Sequence, residues 1–384
     1  MAFLTEHDRT YRTPEDICAH LGDEYAKFDG AIVPPLYQNS LFVLPTEANG
    51  MTESHYDYSR MGNPTLDIAE RKIAALEGGD GALCFSTGMA AIAAAILHFV
   101  RGGCHIVMVD SVYGGALGVA NYVKNKFGVE VTFVDGRSLD EIRGAIQPNT
   151  SLIYVESPSS FVFRMQDIEE IAKMAKERGI GTVMDNTYST PINQQPLKHG
   201  IDIVVHSVTK YMGGHSDLMG GAVVANHDII MAIRNEERCI ICGTMDPHQA
   251  WLLTRGLRTL PIRLNQHAAN AKKVVEFLEN HPKVKKVYYP GSKTFEQPEL
   301  FAKYMTGTNG LLSIVPVGSK EEAVKFIGRL HYFQNGCSWG GFESLAIFIG
   351  GTDGNLVRLH VGLETVDTLI ADLDQALVQI KEEE

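Results

Sequence analysis

The stretch IVVHSVTKYMGG (residues 203–214) carries a short apolar run into a lysine that is flanked by two hydroxyl residues and a glycine pair. The run Ile203-Val204-Val205 has the length and β-branched content of a buried strand. Lys210, just beyond its carboxyl end, is therefore expected to be partly desolvated. Because desolvation disfavours the ammonium form, such a lysine is a good amine nucleophile that can hold an aldehyde as a Schiff base.

A second apolar run, Thr182-Val183-Met184, ends in Asp185. An acid and a lysine at successive strand ends are typical of pyridoxal phosphate (PLP) sites, because the cofactor is bound through a lysine and its ring nitrogen pairs with an acid. A plain ion pair between Asp185 and Lys210 at the sheet edge explains the same residues equally well. Both interpretations stay open on these two residues alone.

Short apolar runs alternate with amphipathic segments over much of the chain. Their brevity and continuous apolarity are typical of strands buried on both faces of a mostly parallel sheet flanked by helices. We therefore predict an α/β fold with a seven-stranded sheet, whose ligands bind beyond the carboxyl ends of the strands. The predicted strands are Ala82–Phe85, Ile106–Val109, Val131–Val134, Leu152–Val155, Thr182–Met184, Ile203–Val205 and Ala222–Val224, and the polar residues at their ends are Ser86, Asp110, Glu156, Asp185 and Ser207.

Composition divides the chain into three predicted parts. Residues 1–48 are turn-rich, with Pro34-Pro35 breaking any helix, and predict an arm that packs on another part of the molecule. Residues 49–245 form the predicted cofactor domain, and residues 246–384 a smaller C-terminal α/β domain. That second domain is expected to hold one long helix over Pro247–His281, strands over 310–316, 345–349 and 356–361, and a closing helix over Val366–Ile380.

Composition also excludes several classes of protein. The chain has 384 residues, 45% of them hydrophobic, and a formal net charge of -12, so we expect a sizeable core and no binding to nucleic acid or anionic membrane. The N-terminal residues lack the pattern of a signal peptide and no apolar stretch is long enough to span a membrane, which predicts a cytoplasmic protein. Cys239 and Cys242 have no second pair at zinc-ribbon spacing, so a buried structural role is favoured and no metal site is expected.

Two segments carry candidate phosphate ligands. Phe85-Ser86-Thr87-Gly88-Met89 passes from a strand into an alanine-rich helix, where free amides suit a phosphate, although strand–glycine–helix turns are common. Ser207 and Thr209 flank the lysine and either donate hydroxyl hydrogen bonds to the same phosphate or cap the strand end. The chain has no G-x-G-x-x-G and no P-loop signature, which argues against a nicotinamide dehydrogenase or a nucleoside-triphosphate site.

Three further side chains have the chemistry of ligand contacts. Tyr113 follows a strand end, where its ring either stacks on a flat cofactor or packs on the protein. Arg60, in the segment Tyr58-Ser59-Arg60, is either a solvated surface charge or a bidentate phosphate ligand. In the second case its guanidinium can also serve a phosphate bound in a neighbouring subunit. Arg358 lies inside an alternating apolar run and needs an anionic partner, either a substrate α-carboxylate or a structural carboxylate.

Taken together, these segments resemble the PLP enzymes of cysteine and methionine metabolism, the group of cystathionine synthases and lyases. The resemblance runs in order over nearly the whole chain. It implies an aspartate-aminotransferase-like fold, a small sulfur amino acid as substrate, and a homotetramer built as a dimer of dimers with shared active sites. The segments that carry it are GAIVPPLYQNSLF (30–42), YSRMGNPT (58–65), FSTGMAA (85–91), DSVYGG (110–115), ESP (156–158), MDNTYSTP (184–191), SVTKYMGGHSD (207–217), SWGGFESL (338–345) and VRLHVGLE (357–364).

The resemblance also implies a role for each matching residue. Lys210 matches the lysine that binds the cofactor and moves protons, Asp185 the partner of the pyridine nitrogen, and Tyr113 the tyrosine that stacks on the ring. Tyr113 and Tyr58 are implied to assist Lys210 in catalysis. The implied phosphate contacts are Gly88, Met89, Ser207 and Thr209, with Tyr58 and Arg60 from the adjacent subunit, and the implied substrate contacts are Arg358, Ser338, Trp339 and Tyr113.

Two departures from the usual family pattern narrow the expected activity. Ser160 stands where many members have an asparagine that contacts the ring hydroxyl of the cofactor, and with Trp339 it resembles the bacterial cystathionine β-lyase branch. Gly115 stands where methionine γ-lyases typically have a cysteine. We therefore expect α,β-elimination on cystathionine, cysteine, lanthionine or cystine, giving a thiol, pyruvate and ammonia. A γ-elimination or γ-replacement enzyme, and a cofactor-binding regulator with little turnover, are the alternatives.

Overall fold

The chain folds around two β-sheets, each with helices packed against it. The computed structural model describes residues 3–350 and 354–381. The first sheet has seven strands and the second has five, which confirms the predicted α/β class with a smaller C-terminal domain. Among the described helices, none combines the length and the apolarity that a bilayer crossing requires.

The N-terminal arm contains a helix that the sequence analysis did not predict. Helix α1 (Pro14–His20) begins at Thr13, whose side chain accepts a hydrogen bond from the Asp16 amide. Thr13 and Pro14 are ordinary start signals of a helix, but the helix is too short to show a period within the turn-rich segment. The arm also holds three single-turn 3₁₀ segments, Asp8–Thr10, Tyr25–Phe28 and Glu47–Asn49.

All seven predicted strands of the large domain are present. Five of them run parallel to their neighbours, and the strands at one edge are antiparallel. The bounds are β1 (Gly81–Phe85), β2 (His105–Val109), β3 (Glu130–Val134), β4 (Thr150–Glu156), β5 (Gly181–Asp185), β6 (Ile203–His206) and β7 (Gly221–Ala225).

The strand order is β1-β7-β6-β5-β4-β2-β3, so β3 forms an edge. The expectation that every strand is buried on both faces is wrong for β3, where Glu130 is exposed and Phe133 is 41% exposed. An edge strand has a neighbouring strand on one side only, so its side chains are more accessible to solvent than those of inner strands.

Helices cover both faces of the large sheet. Helix α2 (Pro64–Glu77) begins at the capping residue Asn63 and ends at Gly78, whose φ of 80° is the left-handed conformation that favours glycine at a helix end. The other helices are α3 (Gly88–Phe99), α4 (Gly114–Phe127), α5 (Leu139–Ala145), α6 (Ile168–Lys176), α7 (Thr190–Asn193) and α8 (His227–Ile233), with a 3₁₀ turn at Pro196–His199 and a π-helix at Arg234–Cys242.

The second sheet forms the centre of the C-terminal part. The predicted long helix is two helices, because the chain breaks at Thr259 before a proline-bearing first turn. Two strands of this sheet, β8 and β10, were not predicted, since β8 carries lysines and β10 has only two residues. The bounds are α9 (Pro247–Arg258), α10 (Leu260–Glu279), β8 (Val284–Tyr288), α11 (Pro298–Tyr304), β9 (Leu311–Pro316), α12 (Lys320–Gly328), β10 (Gln334–Asn335), β11 (Leu345–Phe348), β12 (Val357–His360) and α13 (Val366–Leu377).

The hydrophobic core shows how the parts are joined. Helix α9 buries Leu253 and Leu257 in a cluster with Ile73 of α2 and Val224 of β7, whereas α10 contributes Val274 to the core of the second sheet. Helix α9 therefore packs with the large sheet. The predicted domain boundary at residue 246 stays a prediction.

Candidate active site

Two buried carboxylates lie side by side at the carboxyl end of the large sheet. Glu156 of β4 and Asp185 of β5 are register partners on adjacent parallel strands, and both are 6% exposed. Burial, followed by the neighbouring Asp185, raises the pKa of Glu156 to about 8, and burial raises the pKa of Asp185. A cation brought to this position is therefore favoured electrostatically.

Lys210 lies in the turn that follows β6. Its Nζ donates a hydrogen bond to Ser338 Oγ at 2.9 Å and lies 5.5 Å from the centre of the Trp339 ring. Burial, and then the positive charge of Arg358, lower the Lys210 pKa to about 8. Roughly a tenth of this amine is consequently uncharged at pH 7, far more than for an ordinary lysine, and the uncharged form is the nucleophile and proton acceptor.

Asp185 and Lys210 do not form the structural ion pair that the sequence left open. Asp185 Oδ1 accepts a hydrogen bond from the Thr187 amide at 2.9 Å, and within residues 3–350 and 354–381 no cationic side chain lies within ion-pair distance of its carboxylate. A buried carboxylate without a partner is costly. The Asp185 carboxylate therefore suits a cationic group of a ligand.

Arg358, on β12 of the second sheet, is buried to 9% exposure. Its Nη2 donates to the Cys337 carbonyl oxygen at 2.8 Å, and no described carboxylate pairs with it. The alternative of a structural carboxylate partner is therefore excluded among the described residues. Burial lowers the Arg358 pKa to about 10, so the guanidinium stays charged at neutral pH and available to an anionic ligand.

The start of helix α3 packs closely on Ser207. A Cβ atom at Gly88 would lie 2.9 Å from Ser207 Oγ, so only glycine lets the first amides of the helix approach this hydroxyl. These amides, including that of Met89, have no acceptor within the helix. The Thr209 hydroxyl instead donates to the Gly220 carbonyl oxygen and accepts from the Gly220 amide. To donate to a phosphate, this hydroxyl would have to give up its bond to the Gly220 carbonyl oxygen.

Tyr113 is held at the site through its backbone. Its amide donates to Glu156 Oε2 at 2.6 Å, and the Ser160 hydroxyl donates to the other oxygen of the same carboxylate. The tyrosine is 49% exposed. Its ring leaves no room at Gly115, where a Cβ atom would lie 2.3 Å from Met89 Sδ and 2.4 Å from the Tyr113 ring.

Tyr58 and Arg60 lie together but apart from Lys210. The Arg60 guanidinium carbon is 5.6 Å from the Tyr58 ring centre, and Nη1 donates to the Cys239 carbonyl oxygen at 3.1 Å. No contact joins either residue to Lys210 within the described chain. Their implied contacts with the cofactor phosphate of an adjacent subunit stay a prediction.

Cys239 and Cys242 lie in the π-helix, and both are free thiols. Cys239 is buried and Cys242 is partly buried. Within the described ranges, no group of three or more His, Cys, Asp or Glu side chains lies close enough to hold a metal ion.

Comparison with known proteins identifies the family. The model of the Cys/Met metabolism PLP-dependent enzyme family matches residues 15–378. The chain belongs to this family. It is 39% identical to cystathionine γ-lyase of Bacillus subtilis over 94% of this chain and 97% of the relative, and 39% identical to cystathionine β-lyase of Lactococcus lactis subsp. cremoris over 93% and 97%. The structure of cystathionine γ-synthase from Xanthomonas oryzae pv. oryzae, with aminoacrylate and cysteine, matches with a TM-score of 0.91 and 32% identity over 96% of this chain and 98% of that chain.

Membership of the Cys/Met metabolism family confirms the predicted fold, the predicted enzyme class and the cofactor PLP. The structure fits this cofactor at three points. The unpaired Asp185 carboxylate suits a protonated ring nitrogen, the Gly88–Ser207 approach suits the phosphate, and the partly uncharged Lys210 amine suits the aldehyde.

Sequence reasoning found no role for Glu156 and did not identify Phe161 or His360. The sequence predicts Glu156 only as the polar end of a strand, yet its carboxylate accepts hydrogen bonds from the Tyr113 amide and the Ser160 hydroxyl. His360 Nε2 lies 3.1 Å from the Gly340 amide and thereby supports the loop that carries Trp339. A single histidine in an apolar strand gave no signal of this contact.

Proposed function

We propose that this enzyme catalyses α,β-elimination on L-cystathionine or a related sulfur amino acid (cysteine, lanthionine or cystine). Cystathionine and water would give homocysteine, pyruvate and ammonia. The observation that carries the proposal is the position of Lys210, whose amine is partly uncharged. This amine donates to the Ser338 hydroxyl, and the carbonyl oxygen of the same serine accepts a hydrogen bond from Arg358. The amine can move the proton at Cα and then at sulfur, and the arginine can hold the substrate carboxylate during both steps.

PLP, when bound, supplies a ring that accepts electrons from the substrate Cα and so makes the Cα–H bond acidic. Lys210 Nζ then takes the α-proton and returns a proton to the departing sulfur. Arg358 holds the substrate carboxylate and so fixes the orientation of Cα. Asp185 would hold the ring nitrogen in its protonated form, because the buried carboxylate stabilises a cation beside it.

Packing around Gly115 supports β-elimination rather than cleavage of methionine. Methionine γ-lyases resemble this chain but typically carry a cysteine at this position. Here a side chain would collide with Met89 and with the Tyr113 ring. Ser160, which donates to Glu156 instead of presenting an amide, supports the same branch.

A γ-elimination or γ-replacement activity is the second candidate. It is favoured by the relatives named cystathionine γ-lyase and γ-synthase. Such a reaction needs a second proton abstraction, at Cβ, for which Lys210 is again the candidate base. Product analysis separates the two activities.

We also propose a homotetramer in which Tyr58 and Arg60 complete the site of an adjacent subunit. Exposed apolar side chains support an interface: Ile32, Leu41, Val43, Leu44 and Ile240 are each more than half exposed. Co-expression of Lys210→Ala with Arg60→Ala chains tests this assembly. Shared sites predict that the mixed oligomer recovers activity that neither homo-oligomer has, and no recovery would contradict the shared site.

The test of the elimination is a product analysis of the purified holoenzyme with L-cystathionine. We expect pyruvate and homocysteine, identified by mass spectrometry, and no product from Lys210→Ala under the same conditions. 2-Oxobutyrate with cysteine would contradict β-elimination in favour of γ-elimination. Catalytic efficiencies measured with cystathionine, cysteine, lanthionine and cystine then rank the substrates.

A further inference from the structure

Among the described residues, the Arg358 guanidinium is hydrogen-bonded to the protein through one nitrogen, Nη2. Nη2 donates to the carbonyl oxygens of Cys337 at 2.8 Å and Ser338 at 3.5 Å. The N–H groups of Nε and Nη1 have no acceptor among the described residues. Nη2 is thus bound to the protein, while the other donors of the guanidinium are left for a ligand.

An aromatic ring covers this guanidinium from the opposite domain. The Phe161 ring centre lies 5.7 Å from the Arg358 Cζ atom, within the range at which a guanidinium is attracted to the face of an aromatic ring. Phe161 belongs to the loop after β4 of the large sheet, whereas Arg358 belongs to the second sheet. The contact therefore joins the two sheets at the carboxylate end of the site.

The loop presents Phe161 in an unusual backbone conformation. The φ angles of Phe161 and Phe163 are 68° and 54°, in the left-handed region that bulky side chains rarely adopt. The Ser159 amide donates to the Arg164 carbonyl oxygen at 2.8 Å, and the Arg164 amide donates to Ser159 Oγ at 3.0 Å. Phe163 is fully buried, with its ring centre 5.0 Å from that of Tyr188.

Such a conformation persists only where surrounding contacts hold it. The hydrogen bonds between Ser159 and Arg164 close the loop at its base, and the buried Phe163 ring anchors it to the core. Together they deliver the Phe161 side chain to Arg358. The loop conformation thus places the Phe161 ring against the Arg358 guanidinium.

We propose that Phe161 is a positioning residue that fixes the Arg358 guanidinium for the α-carboxylate of the substrate. The role rests on the carboxylate binding proposed above for Arg358. A ring over one face of the fork restricts its rotation and excludes water from that face. Both effects strengthen a bidentate contact with a carboxylate, and neither acts on the proton transfers of Lys210.

The test is steady-state kinetics of Phe161→Leu holoenzyme with L-cystathionine. Loss of the ring predicts a KM raised by roughly 5- to 30-fold, corresponding to the usual strength of a partly desolvated cation–π contact, while kcat changes by less than about 3-fold, because the interaction is made equally in ground and transition states. Phe161→Tyr keeps the ring and should restore the wild-type KM. The visible absorbance of the bound cofactor should be the same in all three proteins.

Phe163→Leu is the variant for comparison, because its ring lies in the same loop but packs on Tyr188. It should lower the melting temperature and raise KM by less than Phe161→Leu does, because it loosens the anchor of the loop but keeps the ring that contacts Arg358. A substrate analogue without any carboxylate, 2-(ethylthio)ethylamine, provides a second measurement. Its apparent affinity should be equal for wild type and Phe161→Leu.

Arg358→Lys separates failure of this proposal from failure of the proposed function. An unchanged KM in Phe161→Leu, with a raised KM in Arg358→Lys, would overturn the role of Phe161 alone. An unchanged KM in both variants would overturn the carboxylate role of Arg358 as well. Should Phe161→Leu not yield folded holoenzyme, Phe161→Met gives the same comparison with an unbranched apolar side chain.

Discussion

Two lysines of this protein share a depressed pKa but have different surroundings. Burial lowers the pKa of both Lys72 and Lys210 to about 8. Lys72, on α2, is fully buried and donates to the carbonyl oxygens of Ile17 and Cys18 at 3.1 and 3.0 Å, at the end of α1. Lys210 donates to one hydroxyl, Ser338 Oγ.

The difference shows that desolvation alone does not identify a reactive amine. The hydrogen bonds of Lys72 end on backbone carbonyl groups of the last turn of α1, and they attach the N-terminal arm to the large domain. Lys210 has one exchangeable partner and lies near Arg358 and Asp185, which contribute to its pKa. A lysine whose partners can exchange is available for chemistry, and one whose partners are backbone carbonyls is structural.

The largest expected effect is the loss of turnover when Lys210 is replaced. Lys210→Ala should reduce turnover of cystathionine by at least about 10³-fold, because the amine serves as acid and base, and should remove the protein-bound cofactor absorbance. Its melting temperature should stay close to that of the wild type. Retained turnover in this variant would show that Lys210 is not the reactive amine.

Lys72→Met should act on stability instead. The methionine fills similar space but leaves the Ile17 and Cys18 carbonyl groups without the lysine donor, which costs about 1–3 kcal/mol. Denaturant unfolding of the two proteins at pH 7 measures this difference. The activity per folded molecule should equal that of the wild type, and a loss of kcat would assign Lys72 a part in catalysis.

The pH dependence of stability sharpens the same comparison. The Lys72 pKa is about 8 in the folded protein and 10.5 in the reference state. Between these values the unfolded chain binds a proton that the folded chain has released, so the free energy of unfolding rises with pH, by about 1 kcal/mol from pH 8 to 9 for one such group. The deficit of Lys72→Met relative to the wild type should therefore widen over this interval. A constant deficit would show that Lys72 keeps an ordinary pKa.

Ser338→Ala should have the smallest effect. It removes the only hydrogen bond of the Lys210 amine in the described structure, which is worth about 1 kcal/mol or roughly 5-fold in kcat. Stability should change by less than about 0.5 kcal/mol. Stopped-flow measurement of the α-proton transfer step, with Ser338→Thr as the variant that retains the hydroxyl, separates this effect from substrate binding.

Sequence reasoning predicted those parts of the fold that follow from a periodic pattern. The large-sheet strands are continuous apolar runs, and α2 combines a clear period with Asn63 and Gly78 at its ends. The edge position of β3 was not predictable, because its apolar residues resemble those of an inner strand. Helix α1 and strand β10 are too short to show a period.

Within the site, the sequence indicated residues with characteristic chemistry at strand ends. Lys210, Asp185 and Arg358 belong to this class, and the structure shows how each is partnered. Phe161 could not be found in this way, because nothing in a phenylalanine signals a left-handed backbone or a guanidinium from another sheet. Such contacts depend on the tertiary arrangement of distant segments.

The most direct test of the contrast between the lysines is chemical trapping in the native holoenzyme. Borohydride reduction followed by proteolysis and mass spectrometry should find the cofactor mass on the peptide that contains Lys210 and leave the peptide that contains Lys72 unmodified. Cofactor attached to Lys72, or an unmodified Lys210 in active enzyme, would contradict the account.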